Sequence, residues 1–426
     1  MKLFQLNYII RLHQSNYALI LGISFALVGA AALADGSGGG DSDADGRTEL
    51  REIPLQGPKE SKAVANELRS RLEVIQKELD DLLALPGQRS DDVIRRIVDL
   101  SESVMNAKQA IKLAEGDTRS VSRGALEAYS NARNPFFLMC GDEFWAPRDP
   151  NRWYEDKIQK LAPILTKIGR SVGLIISGSD PKGTGFIVGS HYLLTNRHVL
   201  ERIAHEVGSG RWALNAETTV VFDREEITRD GKHCNDPKTH IVTAVFAMPN
   251  GNEDLGLLLV SSTSTSGGAL PPPLSVSVRP LHKFNGNMTI GVIGYPGPPE
   301  DMLPSEQEAN FRTPTHSAPQ FQLKRFSEGY TAAVPVKGGM FSHLANTTDG
   351  NSGSPVVDLA DGTVVGVHAR GHNRFFDVLG YNCGVVGERV VSFLAQSRVV
   401  PHPTGAAVTS LESVKNRAPV PDCYQP

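Results

Sequence analysis

The 426-residue chain is poor in cysteine, with four, and in tryptophan, with three, and aromatic residues make up only 7%. Four cysteines are too few to build a disulfide scaffold, so a buried core must hold the fold, although an even number permits two bridges in an oxidising compartment. An excess of one charge is lacking too: 43 basic against 47 acidic residues leave a net charge of −4. No global field draws such a chain onto nucleic acid or anionic lipid, so nucleic acid is not an expected partner. The sequence has no phosphate-binding glycine loop, no dinucleotide fingerprint and no Cys/His cluster of metal-ligand spacing, so no cofactor or metal is implied. With 40% hydrophobic and 21% charged residues the chain is not wholly disordered, and Gly 41 with Pro 27 point to many turns and short strands.

One long hydrophobic run is present, at the start. Residues 1–16 carry Lys2 and Arg11 and no acidic group, Tyr17 to Ala34 are almost continuously apolar, and Ala32-Leu33-Ala34 precede Asp35-Gly36. This is the three-part pattern of a signal peptide over 1–34, and it predicts an exported protein, secreted or periplasmic. The run is also close to the roughly 20 residues of a spanning helix, so a membrane anchor is expected only if the segment stays uncleaved. Residues 35–58 read as an acidic Gly/Ser/Asp linker. Within it Asp41, Asp43, Asp45, Gly46 and Glu52 match the acidic and glycine positions of a calcium loop. Glycines precede that loop, Pro54 follows it and Thr48 takes the usual aliphatic place, so a solvated linker is the expectation.

A helical region is expected over 59–132. Val64, Leu68, Leu72, Ile75, Leu79 and Leu82 recur at steps of three and four, Leu85-Pro86-Gly87 breaks the run, and Ile94, Ile97, Leu100, Val104, Ala107 and Ile111 resume it. The spacing predicts an antiparallel hairpin with Ser90 capping the second helix. Two helices alone cannot bury both apolar stripes. The following domain, a short third helix near Ser120 to Ala132, or self-association of two copies through residues 59–115 would cover them.

The second domain is expected over 133–400, and from about 158 the hydrophobic period falls to two. SVGLIIS, GTGFIVG, YLLTNRH, TTVVFD, IVTAVFA, LGLLLV, MTIGVIGYP, SPVVDL and TVVGVHA are short strands bounded by turn residues, which argues for an antiparallel barrel or sandwich. A Ser/Thr/Gly/Pro stretch over 261–273 divides the region in two, and residues 401–426 form a short C-terminal tail.

Three segments converge on one chemistry. His198 stands where the strand of LLTNRHV yields to the short helical stretch VLERI, Asp254 enters the apolar strand LGLLLV, and Ser352 lies in the glycine-lined turn Asp349-Gly350-Asn351-Ser352-Gly353-Ser354-Pro355. A serine hydroxyl needs a base within hydrogen-bond reach, and that base needs a buried carboxylate to fix its tautomer. Flanking glycines let the N–H groups of Gly350 and Ser352 converge on one oxyanion. Asp223, Asp230 and Asp236 are alternative third members, but the strand behind Asp254 would bury its carboxylate as the role requires. The order His, Asp, Ser is that of the chymotrypsin-type triad.

GTGFIV…LLTNRHV, DLGLLLV, VIGYPG and TTDGNSGSPVV resemble the trypsin-like, chymotrypsin-fold serine peptidases over roughly 160–400, and GNSGSP is most similar to the bacterial glutamyl endopeptidase branch. The resemblance implies a mainly β fold, a double antiparallel six-stranded barrel of chymotrypsin type behind the helical hairpin, with the triad between the barrels. It implies endopeptidase action on protein or peptide substrates through an acyl-enzyme. In that branch a strand histidine and a threonine before the nucleophile recognise a glutamate side chain, and His368 and Thr347 occupy the matching positions. Neutral Asn351 stands where the wider family often has an aspartate that captures a new N-terminus. Cys140, Cys234, Cys383 and Cys423 leave three pairings open. A catalytically silent binding or scaffold protein that works through its helical hairpin is the alternative reading.

Overall fold

In the computed structural model the described residues lie within 58–399 and omit 86–89, 117–135, 146–154, 209, 226–233, 249–252, 280–287, 300–306, 308–309, 315, 317, 332–338 and 371–381. The expected signal peptide, acidic linker, calcium-loop match, third helix and C-terminal tail, together with Asp230 and Cys423, lie outside them.

Helices α1 (Pro58–Ala84) and α2 (Asp91–Ala114) open the described chain. Ser90 Oγ accepts the Val93 N–H at 3.4 Å, so the second helix is capped by its own side chain. Ile75, Leu79, Leu100 and Val104 form the shared core, flanked by Leu72, Leu82 and Ile97. Arg96 Nε donates to Glu78 at 3.0 Å across the pair. Ile94 does not join this core: it is 48% exposed, as is Val98, and Met105 is more so. At 3.6 residues per turn those three sit about 100° off the Ile97–Leu100–Val104 stripe. No helix among the described residues is long and apolar enough to cross a membrane.

A hairpin of β1 (Phe137–Cys140) and β2 (Glu143–Trp145) and helix α3 (Glu155–Gly169) precede the first barrel. That barrel comprises β3 (Val172–Ser177), β4 (Asp180–Ile187) and β5 (Tyr192–Thr195), and, after helix α4 (Arg197–Ile203) and the small hairpin β6 (Ala204–Gly208) and β7 (Arg211–Leu214), β8 (Thr218–Phe222), β9 (Lys238–Ala247) and β10 (Gly256–Val260). It closes in the order β10-β5-β4-β3-β8-β9, every pair antiparallel. Ile175, Ile187, Leu193, Val220, Phe222 and Leu258 fill it, as the alternation of each strand requires.

The second sheet contains β11 (Thr289–Gly294), β12 (Arg325–Tyr330), β13 (Met340–His343), β14 (Pro355–Asp358), β15 (Val364–Arg370) and β16 (Asn382–Val386), and helix α5 (Gly387–Gln396) follows it. Its order is β13-β16-β15-β14-β11-β12, with the β1-β2 hairpin added beyond β12. An antiparallel bridge between Thr331 and His343 and the hydrogen bond Leu344 N–H to Tyr330 O join the ends of the six strands, which wraps them as a barrel. The fold is mainly β, with an N-terminal helical region.

One core runs through both halves: Leu174, Phe186 and Leu257 of the first sheet cluster with Ile293, Val357 and Val367 of the second. Polar groups pin the same seam. Tyr295 Oη donates to the Val172 carbonyl at 3.1 Å, and burial, followed by the charges of Asp223 and Glu225, raises its phenol well above the ordinary value near 10, so it stays a donor. Lys324, fully buried at the start of β12, donates to Asp223 at 2.9 Å and Glu225 at 3.3 Å at the end of β8. Glu225 also accepts the Gly141 N–H and the Asn235 amide, both at 2.7 Å. These two residues follow Cys140 and Cys234, which form a disulfide, and Cys383 is also disulfide-bonded. Replacing Lys324 by Met leaves two buried carboxylates without their cation. Urea denaturation at neutral pH should show a loss of about 3–5 kcal/mol, and a variant as stable as the parent would show that the cluster does not hold the barrels together.

Candidate active site

Asn196 ends β5 and caps α4, and its buried Nδ2 donates to the Asp254 carbonyl at 2.9 Å. This bond and the β5–β10 register, Thr195 opposite Gly256, bring the start of α4 against Asp254, two residues before β10. Asp254 then meets His198 twice: its Oδ1 accepts the His198 backbone N–H at 3.0 Å and its Oδ2 lies 2.7 Å from Nδ1. The carboxylate is 6% exposed and the imidazole 26%, so the acid is buried and the ring's other edge is open. With Nδ1–H donated to the carboxylate, Nε2 carries the lone pair. Asp223, by contrast, is committed to Lys324.

Ser352 comes from the second barrel, in the turn before β14. The turn is braced from three sides. Asn351 N–H donates to Thr348 O at 3.1 Å, Gly297 N–H donates to Asp349 O at 2.5 Å, and Gly353 N–H donates to His368 O at 2.9 Å. Gly350 has φ +92°, and a Cβ there would meet the Tyr295 carbonyl at 2.5 Å, so the position demands glycine. Among the described residues the N–H groups of Gly350 and Ser352 donate to no protein acceptor, which leaves two adjacent donors beside the Ser352 hydroxyl.

The two segments meet across β4. Thr184 N–H donates to the Ser352 carbonyl at 2.8 Å, and a Cβ on Gly183 would touch both Val199, which follows His198, and that same carbonyl. The structure thus brings His198, Asp254 and the Ser352 turn to one place. Among the described residues no hydrogen bond joins Ser352 Oγ to His198.

His368 is 1% exposed on β15, and its N–H donates to Ser354 O at 2.9 Å, so it abuts the same turn. Its Nδ1 lies 3.1 Å from Nε2 of His343, which is fully buried on β13, a partnership sequence reasoning does not foresee because 25 residues separate the rings. Burial depresses both imidazoles, His343 to about 3 and His368 well below 6.5, the latter also through electrostatic repulsion from His343 and His198. Thr347 makes no hydrogen bond to His368, but its Oγ1 is buried with no partner among the described residues, as is His343 Nδ1.

Residues 183–367 match the family model described as the trypsin-like peptidase domain. No curated protein matches the chain. Among solved structures it is similar to neuropsin, a serine protease expressed in the limbic system of mouse brain, at 14% identity and a TM-score of 0.38, covering 55% of this chain and 96% of that one.

The buried histidine pair has a consequence for stability. In the unfolded chain each ring binds a proton below about pH 6.5, whereas in the folded chain both stay neutral. The unfolded state therefore takes up more protons as pH falls, and stability drops below about pH 6.5 and keeps dropping toward pH 3. Urea titrations should show a loss of roughly 1 kcal/mol per pH unit from His343 alone over that window. A His343→Gln variant with an unchanged slope would show that the ring is not held neutral.

Proposed function

We propose that the chain is an exported serine endopeptidase that cleaves through an acyl-enzyme and prefers an acidic residue before the scissile bond. The observation that carries the catalytic reading is the double grip of Asp254 on His198, at 3.0 and 2.7 Å, with the Ser352 turn docked on the adjoining strand. Ser352 Oγ attacks the peptide carbonyl carbon while its proton passes to His198 Nε2. The carbonyl electrons collect on oxygen, where the Gly350 and Ser352 N–H groups donate. Collapse expels the amine, which takes the proton from His198, and water then repeats the sequence on the acyl group. Asp254 holds the imidazolium and its tautomer throughout. Unliganded sites often tighten the serine–histidine contact only when substrate binds, so its absence here is no obstacle.

The neutral His343–His368 pair supports the acidic preference. If His343 Nε2–H donates to His368 Nδ1, His368 carries its proton on Nε2 and presents a donor, and the atom left bare on His343 is an acceptor, less costly to bury unpaired than an N–H. A donor imidazole and the unpartnered Thr347 hydroxyl are both groups that suit a glutamate carboxylate, the preference of the glutamyl endopeptidase branch. The apolar run over 17–34 and the Cys140–Cys234 bridge support export to an oxidising compartment.

A fluorophosphonate probe should label the wild-type chain and not Ser352→Ala, and Asp254→Asn should lower kcat about 10⁴-fold. An unlabelled wild type would favour the scaffold reading. In a peptide-library profile, glutamate or aspartate should dominate before the cut, and its absence would end the acidic preference while leaving the catalytic reading intact.

A further inference from the structure

Thr184 stands in the first barrel but makes its polar contacts with the second. It is fully buried on β4. Its N–H donates to Ser352 O at 2.8 Å, its Oγ1 donates to Gly350 O at 2.6 Å, and the same Oγ1 accepts the Tyr295 N–H at 3.2 Å. Its carbonyl in turn accepts the Thr195 hydroxyl at 2.7 Å, next to the Asn196–His198 segment. One residue therefore touches the nucleophile's own carbonyl, the oxyanion glycine and the strand end behind them, and is anchored from the His198 side. We infer that Thr184 is a positioning residue for the oxyanion site, fixing the Gly350 peptide so that its N–H and that of Ser352 stay convergent.

The need for such an anchor follows from the turn itself. Gly350 is at φ +92° because the approach of the Tyr295 carbonyl admits no Cβ, and a residue free of Cβ has the softest torsions in the chain. Rotation about its φ and ψ would swing the 349–350 and 350–351 peptides and turn the Gly350 N–H away. The hydroxyl at Thr184 restrains the 350–351 peptide through its carbonyl. The 349–350 peptide, which bears the Gly350 N–H, is held through its own carbonyl by Gly297 N–H on Asp349 O, so the peptides on both sides of the Gly350 Cα are anchored. The role needs a group that donates to one carbonyl and accepts from one amide at the same point, which a hydroxyl does and a methyl does not. Tyr295 adds rigidity: its N–H is held by Thr184 and its phenol by Val172, both in the first barrel.

The inference rests on the acyl-enzyme reading, and the experiment separates the two. Thr184→Val keeps shape and the N–H to Ser352 O but removes the hydroxyl, Thr184→Ala removes it with less crowding, and Thr184→Ser restores it. With a fluorogenic peptide chosen from the library profile, and sites counted by fluorophosphonate labelling carried to completion, kcat should fall about 10- to 100-fold in Val and Ala. KM should stay within about 3-fold, and Ser should return near the parent. Affinity for a peptide boronate of the same sequence, which puts an oxygen in the oxyanion site, should fall in parallel, while that for the cleaved product peptide holds. Unimpaired kcat in Val, equal losses in boronate and product binding, or unfolding of both Val and Ala with Ser native would overturn the inference. A wild-type chain that takes no label would instead overturn the catalytic reading beneath it.

Discussion

The seam between two barrels is the constraint on which the rest depends. His198 and Asp254 come from the first barrel and Ser352 from the second, so no local fold can bring them together. Only a rigid interface can, and a shift of about 1 Å is enough to weaken a positioned site. The seam is built with polar as well as apolar groups. A hydrophobic interface tolerates sliding, because burial is roughly proportional to area and carries no direction. Hydrogen bonds from Tyr295 Oη to Val172, from Thr184 to Gly350 and Ser352, and from Lys324 to Asp223 and Glu225 each fix a direction, and they lie at different points along the contact.

The Lys324 cluster shows how such a pin is made tolerable. A buried cation alone would be neutralised or expelled. Here two carboxylates meet it, and the surplus negative charge is answered by the Gly141 N–H, the Asn235 amide and, at 3.9 Å, Lys238. The cluster also explains the position of the Cys140–Cys234 bridge. The bridge ties together the two segments whose next residues, Gly141 and Asn235, cap Glu225. A covalent link of sequence separation 94 thereby keeps both caps in place.

Much of the first barrel is legible in the sequence, because its strands are short apolar runs set between turn residues, with β8 alternating buried and half-buried positions. The His198–Asp254 pairing is legible for a related reason: an acid immediately before a wholly apolar strand has nowhere to go but inward. The second sheet is less so. β12 reads RFSEGY, with Arg325, Ser327 and Glu328 all buried, so its polarity conceals a strand whose both faces are covered. Met340–His343 and Asn382–Val386 are short and mixed in character, and are recruited by pairing rather than by pattern. Helix α3 has Pro163 inside it, a residue that argues against a helix until its neighbours bury their side chains. The histidine pair, the Lys324 cluster and the role of Thr184 are contacts between distant segments, and periodicity carries no signal for them.

Asn351 is part of the Ser352 turn's own support: its N–H donates to Thr348 O and its carbonyl accepts the Ser354 N–H. It lies 2% exposed directly before Ser352, facing Gly294, where a Cβ would collide with its Oδ1 and with Ser354 Oγ. A carboxylate at so buried a place would have to find a cation, and a newly cut N-terminus is one that arrives only after proteolysis. A neutral amide needs no cation, although Asn351 Nδ2 is buried without a hydrogen-bond partner among the described residues. The turn can then be held by what the folded chain already contains, namely Thr184, Gly297 and the His368 carbonyl.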